Sequence, residues 1–490
     1  MGSHSQPPQD EAGDAVVGFA LNPRLVVDTP APPVAIAAGW AATFPLPASP
    51  FLAASHRPSR GDVVDRIGML NLAQGVPGQP PSAGLLRRIE HEGRSDLMLA
   101  NGYTSVFGVE ALRTAIAADV TARYELDHRP PEPGQGVPLD ADHVAVTAGA
   151  NLAFAIVAQA LAQHGDSVLL PTPWYFNHHM TLASLGICSK PVPTRAGLPS
   201  PRDIRTLLQS DQSVKAVVVV SPNNPCGTTC PAALLDDIFD VCADASVALI
   251  LDETYRDFVV NAEGTALARP HDLFSRPGWQ KTLIHISSFS KSYAIPGHRL
   301  GYILSHPSLL LTRVPDRPAQ YGPIAKALDN YQICPPRADT QRAVAWAIAD
   351  EQEKAWRKDV ALALHERRTI FARGLETPVA VGDDQAAAAA AAVSPQDLGW
   401  ELESMGAYYA FVKTPFQDAS GEEVARALAG LVGVIVLPGS FFMPEGSTDP
   451  SAHRIRISVA NVSAERLKEL PSRLVMLTQL WKDSGNRFPL

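Results

Sequence analysis

The run Ala216-Val217-Val218-Val219-Val220 constrains the fold more than any other stretch of the 490-residue chain. Five apolar residues in a row are too few for a helix and leave no polar face, so a strand made of them must be covered on both sides. Ser167-Val168-Leu169-Leu170, Ala248-Leu249-Ile250-Leu251 and Thr282-Leu283-Ile284-His285-Ile286 read the same way. Between such runs lie segments of helical pattern, among them Ala111 to Tyr124 and Asn151 to Gln163. The alternation predicts an α/β domain over residues 101–335, a mainly parallel sheet sandwiched by helices. Open sheets of this kind bind ligands beyond the carboxyl ends of their strands, so the residues after each run are the candidates for function.

The most informative of these lie beyond Ile286 and read Ser288-Phe289-Ser290-Lys291-Ser292-Tyr293-Ala294-Ile295-Pro296-Gly297-His298-Arg299-Leu300-Gly301. A lysine just past a buried strand, with hydroxyls before it and an arginine eight residues later, suits an imine-forming amine beside a phosphate. Ser288 and Arg299 offer hydroxyl and bidentate guanidinium donors to the anion. That is the chemistry of pyridoxal phosphate held as a Schiff base on Lys291. Ser-x-x-Lys by itself is weak, since most lysines are solvated surface charges.

Other strand ends add to it. Asp252-Glu253-Thr254-Tyr255 puts a carboxylate at a strand's carboxyl edge, where Asp252 can keep a pyridine nitrogen protonated and Tyr255 can donate to a ring oxygen. For an isolated aspartate, capping the following helix is the competing role. Ser221-Pro222-Asn223-Asn224-Pro225-Cys226-Gly227-Thr228 forms a rigid turn that presents Asn224; alone it is only a turn. Val144 to Asn151 runs from a strand through Gly149, Ala150 and Asn151 into a helix start, where backbone N–H groups approach a phosphate closely. One such loop is common in α/β proteins. After Leu170 come Trp174, Tyr175 and Phe176, aromatic rings suited either to stacking on a flat cofactor or to filling the core.

In combination, these segments resemble the class I/II aminotransferases, the fold-type-I pyridoxal-phosphate enzymes, over roughly residues 68–475. The family's Asn-Pro-x-Asn-Pro-Thr-Gly motif stands here as Ser221 to Gly227, with Ser221 and Cys226 departing and Asn224 kept. Asp252 with Tyr255, and Ser288 and Lys291 with Arg299, match in order; 28 residues separate Asn224 from Asp252. The resemblance implies a large domain with a seven-stranded type of sheet, a smaller α+β domain and a homodimer. It implies that Gly75 lies near the substrate carboxylate and that Tyr103 reaches the neighbouring subunit's phosphate. It places Tyr175 on the cofactor ring and His178 behind Asp252. Arg456 is implied as the bidentate grip on the substrate carboxylate, with Arg454, two residues away on the same strand face, a rim charge. The implied reaction moves an amino group between an L-amino acid and a 2-oxo acid, with Lys291, Asp252 and Tyr255 catalytic.

The rest of the chain sets bounds. A charge of −9 with no basic block argues against a nucleic-acid surface. No run approaches a membrane span, and the N-terminus lacks a basic segment followed by an apolar one, so a cytoplasmic enzyme is expected. The five cysteines are scattered without paired spacing, which predicts neither a disulfide framework nor a metal site. Residues 1–60, rich in Pro and Ala, read as a low-order arm, and 61–100 as the start of the small domain with a substrate-site loop. Residues 336–490 read as the small domain, with strands at Tyr408–Val412, Val434–Leu437 and Ile455–Val459 and a last helix from Leu467 to Trp481. An alanine-rich insertion at 383–396 interrupts it.

Two rivals remain. The same pocket in related enzymes performs elimination or replacement, for instance on S-adenosylmethionine, or C–S cleavage. Ser221, Cys226, the N-terminal arm and an insertion near Pro315–Gly322 point to a specialised, secondary-metabolic member. A regulator's effector-sensing domain needs a basic helix-turn-helix ahead of it, for which residues 1–60 are too short and too poor in charge.

Overall fold

The computed structural model describes residues 68–124, 139–261, 263–312, 319–380 and 392–488. The arm at 1–60, most of the alanine-rich insertion and residues 313–318 of the segment near Pro315 lie outside the described residues. The chain opens with β1 (Leu70–Asn71) and helices α1 (Ala83–Ser95), α2 (Leu97–Asn101) and α3 (Glu110–Arg123). Eight strands then form one sheet: β2 (Val144–Thr147), β3 (Ser167–Thr172), β4 (Cys188–Arg195), β5 (Leu198–Pro199), β6 (Val214–Val220), β7 (Ala248–Asp252), β8 (Leu283–Ser288) and β9 (Gly301–Leu304). Helices α4 (Ala150–Leu161), α5 (Phe176–Leu185), α6 (Pro201–Ser210) and α7 (Ala232–Asp244) connect them, and the single-turn α8 (Phe289–Ser292) comes directly after β8.

The spatial order is β2-β9-β8-β7-β6-β3-β4-β5. Strands β4, β3, β6, β7 and β8 run parallel to their neighbours in that series, while β9 is antiparallel to both β8 and β2. The seven strands implied by the resemblance are therefore present, with the two-residue β5 added at one edge. The valine run behaves as its composition demands. Val217 and Val219 enter one core with Leu249, Leu251 and Leu283, whereas Ala216 and Val218 enter the other with Ile250, Ile284 and Ile286. Both faces of β6 are thus buried, which only a two-sided helical cover allows.

The chain goes on through the hairpin β10 (Leu311–Thr312) and β11 (Gln320–Tyr321), then α9 (Pro323–Gln332), α10 (Ala338–Ala349) and the 26-residue α11 (Glu351–Glu376). The last part holds β12 (Glu401–Gly406), β13 (Tyr409–Lys413), α12 (Gly421–Val432), β14 (Val434–Ile435), β15 (Leu437–Pro438), β16 (Arg454–Ser458), α13 (Ala464–Leu467) and α14 (Leu470–Asp483). An antiparallel sheet of order β12-β13-β16-β15 packs against α11, α12 and α14.

Two expectations need correction. Val434 to Leu437 is not one strand: β14 pairs in parallel with β1, and β15 pairs with β16, the chain changing sheets at the buried Val436. The chain also leaves the large core later than residue 335. Helix α10 buries Ala343, Val344, Ala347 and Ile348 with Leu85 of α1 and Leu112 and Ile116 of α3 in the large core. Of residues 61–100, only the stretch around β1, with Leu72 and Ala73, enters the small-domain core. Val379 and Val393 form an isolated antiparallel bridge across the insertion.

Below the site, the end of β7 is tied down by Glu253, which is wholly buried. Tyr124 donates to its Oε2 at 2.7 Å, and Nε2 of His285 and of His271 lie 3.0 and 3.3 Å from that oxygen. Burial opposes the charge, but the two histidines hold the Glu253 carboxyl well below the usual range.

The turn after β6 meets the small domain at Gly227, whose φ is +74°. A Cβ there would stand 2.4 Å from the Gly406 nitrogen. Gly227→Ala is expected to cost upwards of about 2 kcal/mol in urea unfolding, from backbone strain and the clash together. Gly165→Ala, at φ +90° but with open space around it, is the control and should cost about 1 kcal/mol.

Candidate active site

The carboxyl ends of β2, β3, β6, β7 and β8 converge on a cavity of about 240 Å³, to which the small domain contributes Tyr409 and Arg456. Gly75, Ala150, Asn151, Tyr175, Asn224, Asp252, Tyr255, Ser288, Lys291 and Arg299 line it. Of the residues expected to hold the cofactor or substrate or to support them, Gly149, His178 and Tyr103 are outside that lining. Gly149 caps the N-terminus of α4 at φ +85°, where a Cβ would lie 2.3 Å from an Arg299 guanidinium nitrogen. Only glycine leaves that room beside the arginine. His178 stands behind Asp252. Tyr103 is 84% exposed and reaches no part of its own chain's site. A larger surface cavity of about 660 Å³ opens at the other ends of β6, β7 and β8, and holds none of these residues.

Asp252 is the last residue of β7 and is buried. Its Oδ1 accepts from the Thr254 backbone N–H at 3.0 Å and from the Thr254 hydroxyl at 2.7 Å; Oδ2 lies 3.3 Å from His178 Nε2. His178 is held flat against Phe154 of α4, ring centroids 4.1 Å apart. The helix-cap role is thus absorbed locally: the Asp252 carboxylate closes a turn onto Thr254 and still faces the cavity. Trp174 is buried and stacks on His179, so it is core, while Tyr175 and Phe176 line the cavity. Ser221, which departs from the family motif, accepts the Cys230 backbone N–H at 3.0 Å. A short hydroxyl suffices there.

Lys291 lies on α8, which opens at Ser288; the Ser288 hydroxyl accepts the Ser290 N–H at 3.1 Å. The Lys291 Nζ donates to the Gly75 carbonyl. Burial, and then the charges of Arg299 and Arg456, lower its pKa to about 8. The amine is therefore a usable nucleophile near neutral pH. Arg299 adopts a left-handed backbone at φ +52° and donates to the carbonyls of Pro296 at 2.9 Å and Ala148 at 3.4 Å. Its guanidinium thus lies beside the N-terminal turn of α4, which has no side-chain cap and no acidic residue. The free N–H groups, the Gly149 cradle and the cation fit a phosphate.

Arg456 is buried on β16. Nη1 donates to Asn224 Oδ1 at 2.9 Å, and Nη2 donates to the Ala73 carbonyl. Its guanidinium lies over Tyr409 at 4.5 Å and near Phe442 at 5.1 Å. Nε has no partner, and no carboxylate pairs with Arg456 among the described residues. Arg454 pairs with Glu403 at 2.5 Å and does not line the cavity. Two residues of the site are not marked by the sequence, Thr254 and Tyr409. Thr254 lies inside the Asp252-to-Tyr255 motif, which is its only signal; Tyr409 is visible only as one of two adjacent tyrosines in a strand.

The residues fit pyridoxal phosphate at each of its functional ends: an amine of low pKa, a carboxylate, two ring-oxygen donors and an anion cradle. Comparison with known proteins agrees. Residues 67–474 match the family model "Aminotransferase class I and II". The chain is 28% identical to the aromatic aminotransferase ISS1 of Arabidopsis thaliana over 375 residues, covering 76% of this chain and 81% of that one. It is 27% identical to a valine–pyruvate aminotransferase of Mycobacterium tuberculosis, over 84% and 90% of the two chains. The N-succinyldiaminopimelate aminotransferase structure from Mycobacterium tuberculosis superposes with a TM-score of 0.68 at 25% identity, covering 85% of this chain and 95% of that one. Thermus thermophilus aspartate aminotransferase shares the fold, with a TM-score of 0.70 at 19% identity over 94% of this chain and all of the other. The fold is that of the fold-type-I enzymes. The chain belongs to the class I and II aminotransferases, whose cofactor is pyridoxal phosphate. Relatives named as aminotransferases do not favour the elimination reading.

The low pKa of Lys291 has a direct consequence. A lysine amine reacts only when unprotonated, so competitive acetylation of Lys291 in the cofactor-free protein should rise with pH and level off above about 8. Exposed lysines should still be gaining reactivity at about pH 10. Peptide mapping that gives Lys291 the same profile as the exposed lysines contradicts the environment described.

Proposed function

We propose that this aminotransferase takes L-amino acids with one carboxylate and an uncharged, largely apolar side chain, and passes the amino group to a 2-oxo acid. The carrying observation is Arg456, a buried cation with no carboxylate partner among the described residues. Leaving such a charge unpaired is costly, and a bidentate substrate carboxylate supplies the missing anion. The other cations of the cavity are Lys291 and Arg299, the latter at the phosphate cradle. No described lining residue is therefore left to read a second carboxylate, while Tyr175, Phe176 and Tyr409 offer an aromatic wall.

When bound, pyridoxal phosphate supplies an aldehyde carbon that carries the amino group and a ring that takes up electron density from the substrate α-carbon. Lys291 would hold the cofactor through its amine and, once freed by the substrate amine, would serve as the base that moves the proton at the substrate α-carbon. Asp252, fixed by Thr254 and His178, keeps a proton on the ring nitrogen. Tyr255 donates to the ring oxygen. Asn224 joins it with its amide N–H, since its Oδ1 is occupied by Arg456. Ala150, Asn151, Ser288 and Arg299 hold the phosphate, and Gly75 keeps the backbone low beside the substrate.

A homodimer is part of the same reading. Tyr103 stands out from the surface next to the exposed Leu97, Met98 and Leu99 of α2, and Tyr331 and Ile333 are exposed as well. That apolar display suits a second copy whose phosphate site Tyr103 completes. Five cysteines, none in a disulfide, support a reducing, cytoplasmic setting, and no helix among the described residues is long and apolar enough to cross a membrane.

Holo-protein mixed with single amino acids should shift its absorption to the pyridoxamine form, most readily with apolar or aromatic side chains. Quantitative release of ammonia instead would overturn transamination. Arg456→Leu should lower kcat/KM about a hundredfold or more with cofactor content intact. For the dimer, Lys291→Ala mixed with Tyr103→Phe should regain activity above the sum of the two, because a hybrid dimer holds one site free of both lesions. No gain, with subunit exchange verified, removes Tyr103 from the partner's site.

A further inference from the structure

Tyr409 lies where the small domain meets both halves of the site. Its hydroxyl is 2.5 Å from the Tyr255 hydroxyl, and its ring is the face over which Arg456 lies at 4.5 Å. The register of β13 on β16, with Phe411 opposite Arg456 and Tyr409 opposite Ser458, fixes that placement through the backbone. The Tyr409 hydroxyl also fills the space above Gly75, where a Cβ would lie 1.9 Å from it. Gly75 is thus small because Tyr409 is there.

Resting on the function proposed above, we propose that Tyr409 is a positioning residue with two separable effects. Its hydroxyl donates to Tyr255 and so directs the single Tyr255 proton to the cofactor's ring oxygen, and its ring holds the Arg456 guanidinium flat for the substrate carboxylate. A phenol has one proton to give. If Tyr255 spent its proton on Tyr409, it would present only lone pairs to the cofactor oxygen; receiving a proton from Tyr409, it becomes a stronger donor. The surroundings decide the direction. Burial raises both phenols and Arg456 opposes that at both, but of the two rings it is Tyr409 that lies against the guanidinium, at 4.5 Å, where the cation most favours giving up the proton. The more acidic phenol is the better donor. The other titratable groups near the Tyr409 hydroxyl are Tyr175, ahead of α5, and Tyr408 of its own chain segment; Lys291 and Asp252 line the same cavity.

The test tracks the absorption of the Lys291-linked cofactor over roughly pH 5 to pH 10. Charge on the ring oxygen favours the protonated linkage, so weakening the Tyr255 donor must raise the midpoint. Tyr409→Phe should raise it by about half a pH unit, a threefold change in the proton equilibrium, with thermal stability retained. Tyr255→Phe should raise it further, and the double variant should match Tyr255→Phe, since Tyr409 acts through it. For the second effect, 3-phenylpropionate is the probe: its Kd should stay within about twofold in Tyr409→Phe and weaken about tenfold in Tyr409→Leu. A midpoint in Tyr409→Phe that is unchanged or lower, additive shifts in the double variant, or unaltered probe binding in Tyr409→Leu overturns the proposal. A wild-type protein in which borohydride fixes no cofactor to Lys291 overturns instead the function on which it rests.

Discussion

The register of three parallel strands holds the site together. Val220 of β6 stands opposite Asp252 of β7, and Asp252 stands opposite Ile286 of β8. The strands therefore end at nearly the same level, and their terminal residues and turns deliver Asn224, Asp252, Ser288 and Lys291 along one edge. A slip of one residue in β7 would turn Asp252 toward the histidine cluster and Glu253 toward the cavity. The alternate burial of the valine and leucine residues in two cores prevents that slip, because every side chain would exchange layers. Apolar packing on both faces is thus what fixes a polar constellation at the edge.

The site keeps charges where burial opposes them. Lys291 answers by losing its proton more readily, but Arg456 cannot, and it relies on Asn224, the Ala73 carbonyl and the faces of Tyr409 and Phe442. Those partners satisfy geometry without neutralising the charge. Glu253 shows the contrasting solution, a buried anion whose Oε2 is surrounded by Tyr124, His271 and His285, so that its charge is balanced within the protein although Oε1 has no hydrogen-bond partner among the described residues. The two residues differ in whether a ligand is needed: one is closed, the other open to an anion.

Much of this was legible in the chain. Lys291 with Arg299, and Asp252 with Tyr255, sit within one strand-end segment each, so their spacing survives in the sequence. The strands were legible because burial on both faces leaves unbroken apolar runs. Tyr409 was not, since its partner Tyr255 is 154 residues away and nothing local marks a tyrosine in a small-domain strand as a neighbour of the cofactor site. The break at Val436 escaped for a similar reason: four apolar residues look alike whether they pair with one sheet or two. Helix α10 carries an apolar face that suits either core, and only its contacts with α1 and α3 decide which.

The bridge between Val379 and Val393 brings the chain back to within one strand spacing of where it left. The 13 residues numbered 380–392 therefore begin and end at a single point on the small domain. Loop closure weakens only slowly with length, so a segment anchored in this way can be lengthened or shortened by many residues while the α11 to β12 connection keeps its geometry. The bridge is a seam: sequence added between its two ends leaves undisturbed both the sheet that carries Arg456 and the edge that carries Lys291.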